Sequence, residues 1–116
     1  MSSGDCLFCK IVSGDVPATV VRESPRTVAF RDINPQAPTH VLVIPREHHA
    51  TAVDLAAAAP ETLAEMVRVA GEVAESEGVA SSGYRMVLNT GSGAGQTVFH
   101  AHAHVLGGRG FSWPPG

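Results

Sequence analysis

The chain has 116 residues and a mass of 12.0 kDa, which is the size of a single domain. It is 44% hydrophobic with a mean hydropathy of +0.09, so bulk disorder is excluded. A formal charge of −3 argues against a general nucleic-acid-binding surface. No run of eighteen apolar residues and no secretory leader is found, so we expect a cytoplasmic protein with no membrane span.

The first half of the chain predicts a short helix, two hairpin strands and a buried strand, at Cys6–Val12, Thr19–Glu23, Thr27–Arg31 and His40–Ile44. Ser13-Gly14 is a typical end for the short helix. Ser24-Pro25-Arg26 separates the two β-branched runs as a turn. Two prolines make 32–39 a loop, and Pro45 ends the apolar strand that follows it.

The second half predicts one long helix and two further strands, at Gly83–Asn89 and Phe99–Leu106. Pro60 suits the first turn of the helix and Gly78 its end. Between these two residues the apolar side chains follow helical spacing. Strand runs on both sides of a long helix favour an α+β fold with an antiparallel sheet. With no repeat or linker, we expect one domain over 1–116.

Three of the six histidines, His100, His102 and His104, alternate with Ala101 and Ala103 in the last predicted strand. Alternate strand residues share a face, so the imidazoles are expected on one side and the small alanines against a helix on the other. Neighbouring histidine Cα atoms are then about 6.6 Å apart, and the outer pair about 13 Å. One metal ion could take two of these histidines but hardly three, so metal binding and nucleophilic or base catalysis can coexist.

Cys6 and Cys9 form a C-x-x-C pair. In a reducing compartment such a pair is typical of metal binding or redox chemistry rather than of a structural disulfide. No strand pattern precedes it, which favours metal over a thioredoxin-like motif. A tetrahedral site needs two further ligands, for which His100 and either His48 or His49 are candidates. The alternative is two buried thiols with no metal.

A glycine-rich loop, Gly91–Thr97, precedes the histidine run. No helix pattern follows it, which excludes the Rossmann and P-loop interpretations. Its backbone N–H groups could still form an anion-binding nest, with side-chain donors from Gln96 and Thr97. The alternative is a flexible hairpin loop. A phosphate held beside an imidazole would indicate phosphoryl or nucleotidyl transfer with a histidine nucleophile.

The segment Gln96–Leu106 resembles the His-x-His-x-His signature of the histidine triad (HIT) family. CLFCKI, DINPQAPTH, HVLVIP, GYRMVLNTGSGAGQ and WPPG resemble its nucleotide-binding Hint branch, so the likeness spans essentially the whole chain. It implies a five-stranded antiparallel sheet with one long and one short helix. It also implies a homodimer with a continuous ten-stranded sheet, in which the tail 109–116 contributes to the partner's active site.

The resemblance further implies hydrolysis of the P–N bond of purine nucleoside phosphoramidates, such as AMP joined to an amine. His102 is the expected nucleophile, forming a nucleotidyl-histidine intermediate, and His104, His40 and Thr97 are its expected catalytic neighbours. His104 stands where the related nucleotidyltransferases carry Gln, which favours hydrolysis. The alternatives are a dinucleoside polyphosphate hydrolase of the Fhit-like branch, against which the WPPG tail speaks, and a nucleotide-binding regulatory protein with weak activity.

The nucleotide-binding residues that the resemblance implies comprise a ribose carboxylate, base-pocket walls, phosphate contacts and a partner-reaching tryptophan: Asp32, Phe8, Val16, Phe30, Ile33, Asn89, Gly95, Gln96, Thr97, His102, His104 and Trp113. Each has a structural alternative. Asp32 could form an Asx turn, and Asn89 could close a strand end. The aromatic and aliphatic side chains could be ordinary core, and Trp113 could cover an apolar patch.

Zinc-carrying members of the family resemble this chain at Cys6, Cys9, His48 and His100. Four protein ligands leave no open coordination position, so the implied zinc is structural rather than catalytic. A zinc hydrolase that uses the triad as its ligands is disfavoured by the spacing along the strand. His49 is then left as a surface residue.

Overall fold

The computed structural model describes residues 5–116, which form three α-helices and one antiparallel sheet. In chain order the elements are α1 (Leu7–Ser13), β1 (Val20–Glu23), β2 (Thr27–Arg31), β3 (Thr39–Pro45), α2 (Ala52–Ala58), α3 (Pro60–Ser76), β4 (Tyr84–Val87) and β5 (Ala103–Gly107). The five strands lie in the order β1-β2-β3-β5-β4, and every neighbouring pair is antiparallel. The predicted α+β fold is confirmed. Among residues 5–116, no helix combines the length and the apolar character needed to cross a membrane.

The two faces of the sheet carry separate layers of core. Alternate residues of β3 and β5, such as Val41 and Val105, pack with α3 on one face. The opposite face packs against α1, where Leu42 lies with Phe8. Period-two alternation therefore places His40 and His104, the neighbours of those α3-facing residues, on the α1 side.

Helix α1 is short and is fixed at both ends. The Cys6 side chain accepts a hydrogen bond from the Cys9 N–H at 3.4 Å, which caps the first turn. Gly14 ends the helix with φ +86°, a conformation that favours glycine. The predicted short helix is thus present, shifted by one residue.

The alanine-rich stretch before Pro60 forms the separate helix α2, so the prediction of one long and one short helix missed an element. Thr51 Oγ1 caps α2 by accepting the Asp54 N–H at 3.1 Å. Ala59 then leaves helical geometry (φ −147°, ψ 70°), because a residue before proline is disfavoured in the α region. The Thr-x-x-Asp pattern was the sequence indication of this helix start.

The predicted strand Phe99–Leu106 is wrong over its first half, since β5 begins only at Ala103. The preceding segment makes its hydrogen bonds to the β3–α2 connection instead of a neighbouring strand: the Ala101 N–H donates to the His49 carbonyl at 2.7 Å. The alternation of side chains nevertheless continues. Ala101 and Ala103 are buried in the layer that packs on α3, as expected from their size.

A buried carboxylate ties the β1–β2 turn to α3. Glu65 accepts hydrogen bonds from the Ser24 hydroxyl and from the Arg26 N–H, the latter at 2.8 Å. The Ser24 hydrogen bond is the main reason that the pKa of Glu65 lies below its ordinary value. This network is structural, because it joins the β1–β2 turn to α3 and lines no part of the cavity beside α1.

Candidate active site

A cavity of about 350 Å³ opens beside α1, over the face of the sheet that β2, β3 and β5 form. The residues predicted for the nucleotide that line it are Phe8, Val16, Phe30, Asp32, Ile33, Thr97, His102 and His104. The cavity is also lined by residues that the sequence does not point to: Leu7, Ile11, Pro17, Ala18, Arg31, Leu42 and Val98. Position could have identified Leu42, which is two residues from His40 on the same strand face.

One end of this cavity is apolar. Phe8 and Phe30 meet edge to face with their ring centroids 5.5 Å apart, and both are buried. Ile33 is fully exposed at the rim. Arg31 contributes no free charge, because its guanidinium makes two 2.9 Å hydrogen bonds to the Glu77 carboxylate. An anion in this cavity would therefore meet imidazoles and neutral donors rather than an unpaired Arg.

The hydrogen bond of His102 fixes its tautomer. Its Nδ1 lies 2.8 Å from the backbone carbonyl oxygen of His100. A carbonyl only accepts, so Nδ1 carries the proton and the neutral ring keeps a lone pair on Nε2. The ring is buried and packs edge to face on Phe8, with centroids 5.1 Å apart. His102 thus lines the cavity with a ring whose orientation and neutral tautomer are set by this hydrogen bond.

A second chain of hydrogen bonds runs from Gln36 through His40 to His104. The Gln36 N–H donates to His40 Nδ1 at 3.0 Å, which places the proton of a neutral His40 on Nε2. That Nε2 lies 2.9 Å from His104 Nδ1 and 3.4 Å from Asp32 Oδ2. The neutral His104 then carries its own proton on Nε2. The Nε2–H of a neutral His40 thus lies between the Asp32 carboxylate and His104 Nδ1.

Asp32 has two roles in this arrangement. Its Oδ1 accepts the Asn34 N–H at 2.8 Å, so the Asx turn weighed from the sequence is present. Its Oδ2 faces His40, and the residue also lines the cavity. The turn therefore holds the carboxylate at the cavity wall and does not compete with a role there.

Burial keeps the imidazoles of His40 and His104 neutral. The pKa of His104 is lowered to about 4, mainly by burial and further by the neighbouring His102 and His40. Burial also lowers the pKa of His40, against the opposing effect of the Asp32 carboxylate. At neutral pH both rings act as hydrogen-bonding groups and not as cations.

We expect His104 to stay neutral well below the usual histidine range. The pKa of His104 is lower in the folded chain than in the unfolded chain. As the pH falls below 6.5, His104 therefore becomes protonated in the unfolded chain while it is still neutral in the folded chain. This group therefore contributes stability above pH 6.5 that is lost as the pH falls toward 4. Histidine NMR titration should give a midpoint near 4 for His104, and His104→Asn should flatten the dependence of unfolding free energy on pH in that window. A midpoint near 6.5 would contradict this electrostatic description.

Cys6, Cys9, His48 and His100 form a compact group of possible metal ligands, with one donor atom from each lying within 4.8 Å of the others. His100 is fully buried, and its Nε2–H donates to the Pro45 carbonyl at 2.8 Å. Its Nδ1 lone pair consequently faces the two sulfur atoms, at 3.4 Å from Cys6 and 3.5 Å from Cys9. His48 Nδ1 lies 3.4 Å from Cys9 Sγ.

The donor set of this group, two thiols and two imidazoles, suits a borderline-soft metal ion. Burial and the neighbouring Cys6 thiol raise the pKa of the Cys9 thiol to about 11 in the metal-free chain. Burial lowers the pKa of His100 to about 4 and so keeps that lone pair available. His49 stands outside the group, with its Nε2 2.9 Å from Glu47 Oε1.

The glycine loop makes most of its backbone hydrogen bonds within itself. The Ala94 and Gln96 N–H groups donate to the Gly91 carbonyl, and the Gln96 side chain accepts the Gly91 N–H at 2.9 Å. The Gln96 amide group donates to the carbonyls of Ala50 and Val98. Buried Gln96 therefore anchors the loop, and only the following Thr97 and Val98 reach the cavity.

Besides Gln96, three of the predicted nucleotide-binding residues lie outside this cavity. Asn89 and Gly95 face one another beside the glycine loop. Trp113 is 83% exposed, and the tail before it is held to the rest of the chain. Arg109 stacks on the Phe111 ring at 4.3 Å, and Arg85 donates to the Ser112 carbonyl at 3.0 Å. Trp113 therefore lies on the outside of the folded chain.

Known proteins resemble this chain over most of its length. The HIT domain profile matches residues 13–111. The chain is 44% identical to the purine nucleoside phosphoramidase of Escherichia coli K12 over 90% of its length and 88% of that protein. It is 47% identical to the 14 kDa zinc-binding protein of Zea mays, over 95% of this chain and 87% of that one. A HIT family hydrolase from Legionella pneumophila superposes with a TM-score of 0.92 at 53% identity, covering 97% of this chain and all of that structure. The chain therefore belongs to the HIT domain family.

Proposed function

We propose that this HIT-family hydrolase cleaves the P–N bond of purine nucleoside 5′-phosphoramidates, with His102 as nucleophile. The observation that carries the proposal is the orientation of His102, whose Nδ1–H is held by the His100 carbonyl while Nε2 is left free beside the cavity. The similarity to a purine nucleoside phosphoramidase supports the choice of substrate class.

The cavity offers a place for each part of such a substrate. A flat purine fits the apolar end formed by Phe8 and Phe30. The ribose hydroxyls would donate to the Asp32 carboxylate at the wall. The phosphoryl group would then lie by Thr97 and the histidines, with the neutral His104 donating its Nε2–H.

The reaction then follows in two displacements. The His102 Nε2 lone pair bonds to phosphorus as the P–N bond breaks, and the nitrogen leaves with that electron pair and takes a proton from solvent, departing as the free amine. Water next attacks the phosphorus of the nucleotidyl-histidine and returns one proton to solvent, the N–P bond breaks with its electron pair going back to His102 Nε2, and the nucleoside monophosphate departs. The hydrogen bond to the His100 carbonyl stabilises the ring while it carries the positive charge of the intermediate.

A substrate panel tests the proposal. We expect AMP joined to a primary amine to be turned over with a kcat/KM at least about 100-fold above that of a diadenosine polyphosphate, because the cavity of about 350 Å³ has room for one nucleotide. Release of AMP is measured for both compounds at equal enzyme concentration. A preference for the dinucleotide would instead favour a polyphosphate hydrolase.

We propose zinc as the metal of the Cys6, Cys9, His48 and His100 group. Tetrahedral zinc, with Zn–S near 2.3 Å and Zn–N near 2.0–2.1 Å, places sulfur and nitrogen ligands about 3.5 Å apart. The sulfur–nitrogen separations here are 3.4–3.5 Å. Bound zinc would cross-link α1 to the His100 segment. It would not act on the substrate, since four protein ligands fill its coordination sphere.

We further propose a homodimer in which Trp113 reaches the partner's cavity. Strand β4 is an edge strand and presents the partly exposed Tyr84, a combination suited to pairing with a second copy. Trp113 is 83% exposed near the end of the chain and so is free to reach a second copy. Analytical ultracentrifugation should give twice the chain mass, and a monomer at micromolar concentration would contradict the proposal.

A further inference from the structure

Helix α1 carries residues of both the metal-ligand group and the nucleotide cavity. Phe8 lies between Cys6 and Cys9 in sequence and lines the cavity. Its ring meets His100 and His102 edge to face, with centroid separations of 5.9 Å and 5.1 Å. One buried ring thus contacts both a metal-ligand candidate and the proposed nucleophile.

His100 connects the same two sites through different atoms. Its ring directs Nδ1 at the two thiols, and its backbone carbonyl accepts the Nδ1–H of His102. The ring itself is completely buried and anchored to the Pro45 carbonyl. Any displacement of His100 therefore moves the group that sets the tautomer of His102.

Helix α1 has only seven residues, and a helix of that length is not stable alone in water. Its position depends on packing and on the contacts that its cysteines make with His48 and His100. Coordinate bonds are much stronger constraints than thiol–imidazole contacts at 3.4–3.5 Å. Filling the metal site is thus expected to restrict the motion of Phe8.

We propose that Phe8 and His100 are positioning residues that couple metal occupancy to nucleotide affinity: the filled Cys6–Cys9–His48–His100 group holds Phe8 against the base site and against His102. This coupling rests on the proposed function, since it concerns the same cavity. The metal-free chain keeps the His102 nucleophile, but Phe8 is held less firmly against the base site. Metal removal is therefore expected to raise KM more than it lowers kcat.

The test measures AMP binding by calorimetry on native protein, zinc-loaded and after chelation, at a temperature where circular dichroism shows both forms folded. We expect a Kd at least about fivefold weaker after chelation, with recovery on adding zinc. The Cys6→Ser/Cys9→Ser variant should bind AMP like the chelated protein and not respond to zinc. Zinc-loaded Phe8→Leu should also bind AMP weakly, while KM rises more than kcat falls.

Glu65→Gln is the matched control, because it weakens a network that packs α3 and leaves α1 untouched. It should lower stability without changing the AMP Kd of the zinc-loaded protein. Equal AMP affinity of the loaded and chelated native protein would overturn the coupling, as would an equal loss of affinity in Glu65→Gln. If loaded protein binds AMP but cleaves no phosphoramidate, the proposed function fails, and a Kd that depends on zinc still supports the coupling.

Discussion

We expect His102→Ala to lower the turnover of an adenosine 5′-phosphoramidate by at least about 10³-fold while AMP still binds. Removing a nucleophile removes the covalent route, and single losses of such groups cost several orders of magnitude. The base and ribose walls, such as Phe30 and Asp32, stay in place, so ground-state binding is largely retained. Steady-state AMP release and a separate AMP Kd measure the two effects.

A second variant and a control make this test specific. His102→Asn keeps a polar side chain against Phe8 and should be as inactive as the alanine variant. His49→Ala removes a histidine that pairs with Glu47 and belongs to neither cluster, so it should turn over like the native chain. An active His102→Asn would show that the nucleophile is misassigned.

Chelation of the metal is expected to cost about 4 kcal/mol of unfolding free energy when the metal is present at about 1,000 times its Kd. The reason is that the four ligands come from α1, from the β3–α2 connection and from the segment before β5, which meet only in the folded chain. For a chain of this length such a loss lowers Tm by about 10 °C or more. Thermal unfolding with and without chelator measures it.

Metal content identifies the ligands independently of stability. Native protein should hold one zinc per chain by elemental analysis, and Cys9→Ser should hold little. His49→Gln is the control, because this neighbour of His48 lies outside the ligand group and should leave zinc content unchanged. A Cys9→Ser protein with full zinc would show that the site is misassigned.

The sequence predicts the sheet well because its strands alternate or are uniformly apolar between strong turn residues. Strand β2 has the predicted limits, and β3 extends one residue beyond the prediction at each end. The cavity residues could be named only through the family resemblance, since Phe8 and Ile33 lie far apart in the chain and carry no local pattern of their own. They line one cavity only because the folded chain brings them together.

Other features depended on competing interactions that local pattern does not reveal. The segment around Ala101 reads as a strand, but its N–H donates to His49 rather than to a neighbouring strand. Gln96 resembles a phosphate donor, but its amide is fully used in holding the glycine loop. In both places the polar group is evident from the sequence, but its hydrogen-bond partner is set by the tertiary structure.

The most direct test of the proposed mechanism is to trap the covalent intermediate. Native protein mixed with an adenosine 5′-phosphoramidate is quenched within milliseconds, digested and examined by mass spectrometry. We predict one adenylyl group on the peptide that contains His102, located on its imidazole nitrogen and absent from His102→Asn. Full single-turnover release of AMP with no adduct at any time, or an adduct on another residue, would contradict the mechanism.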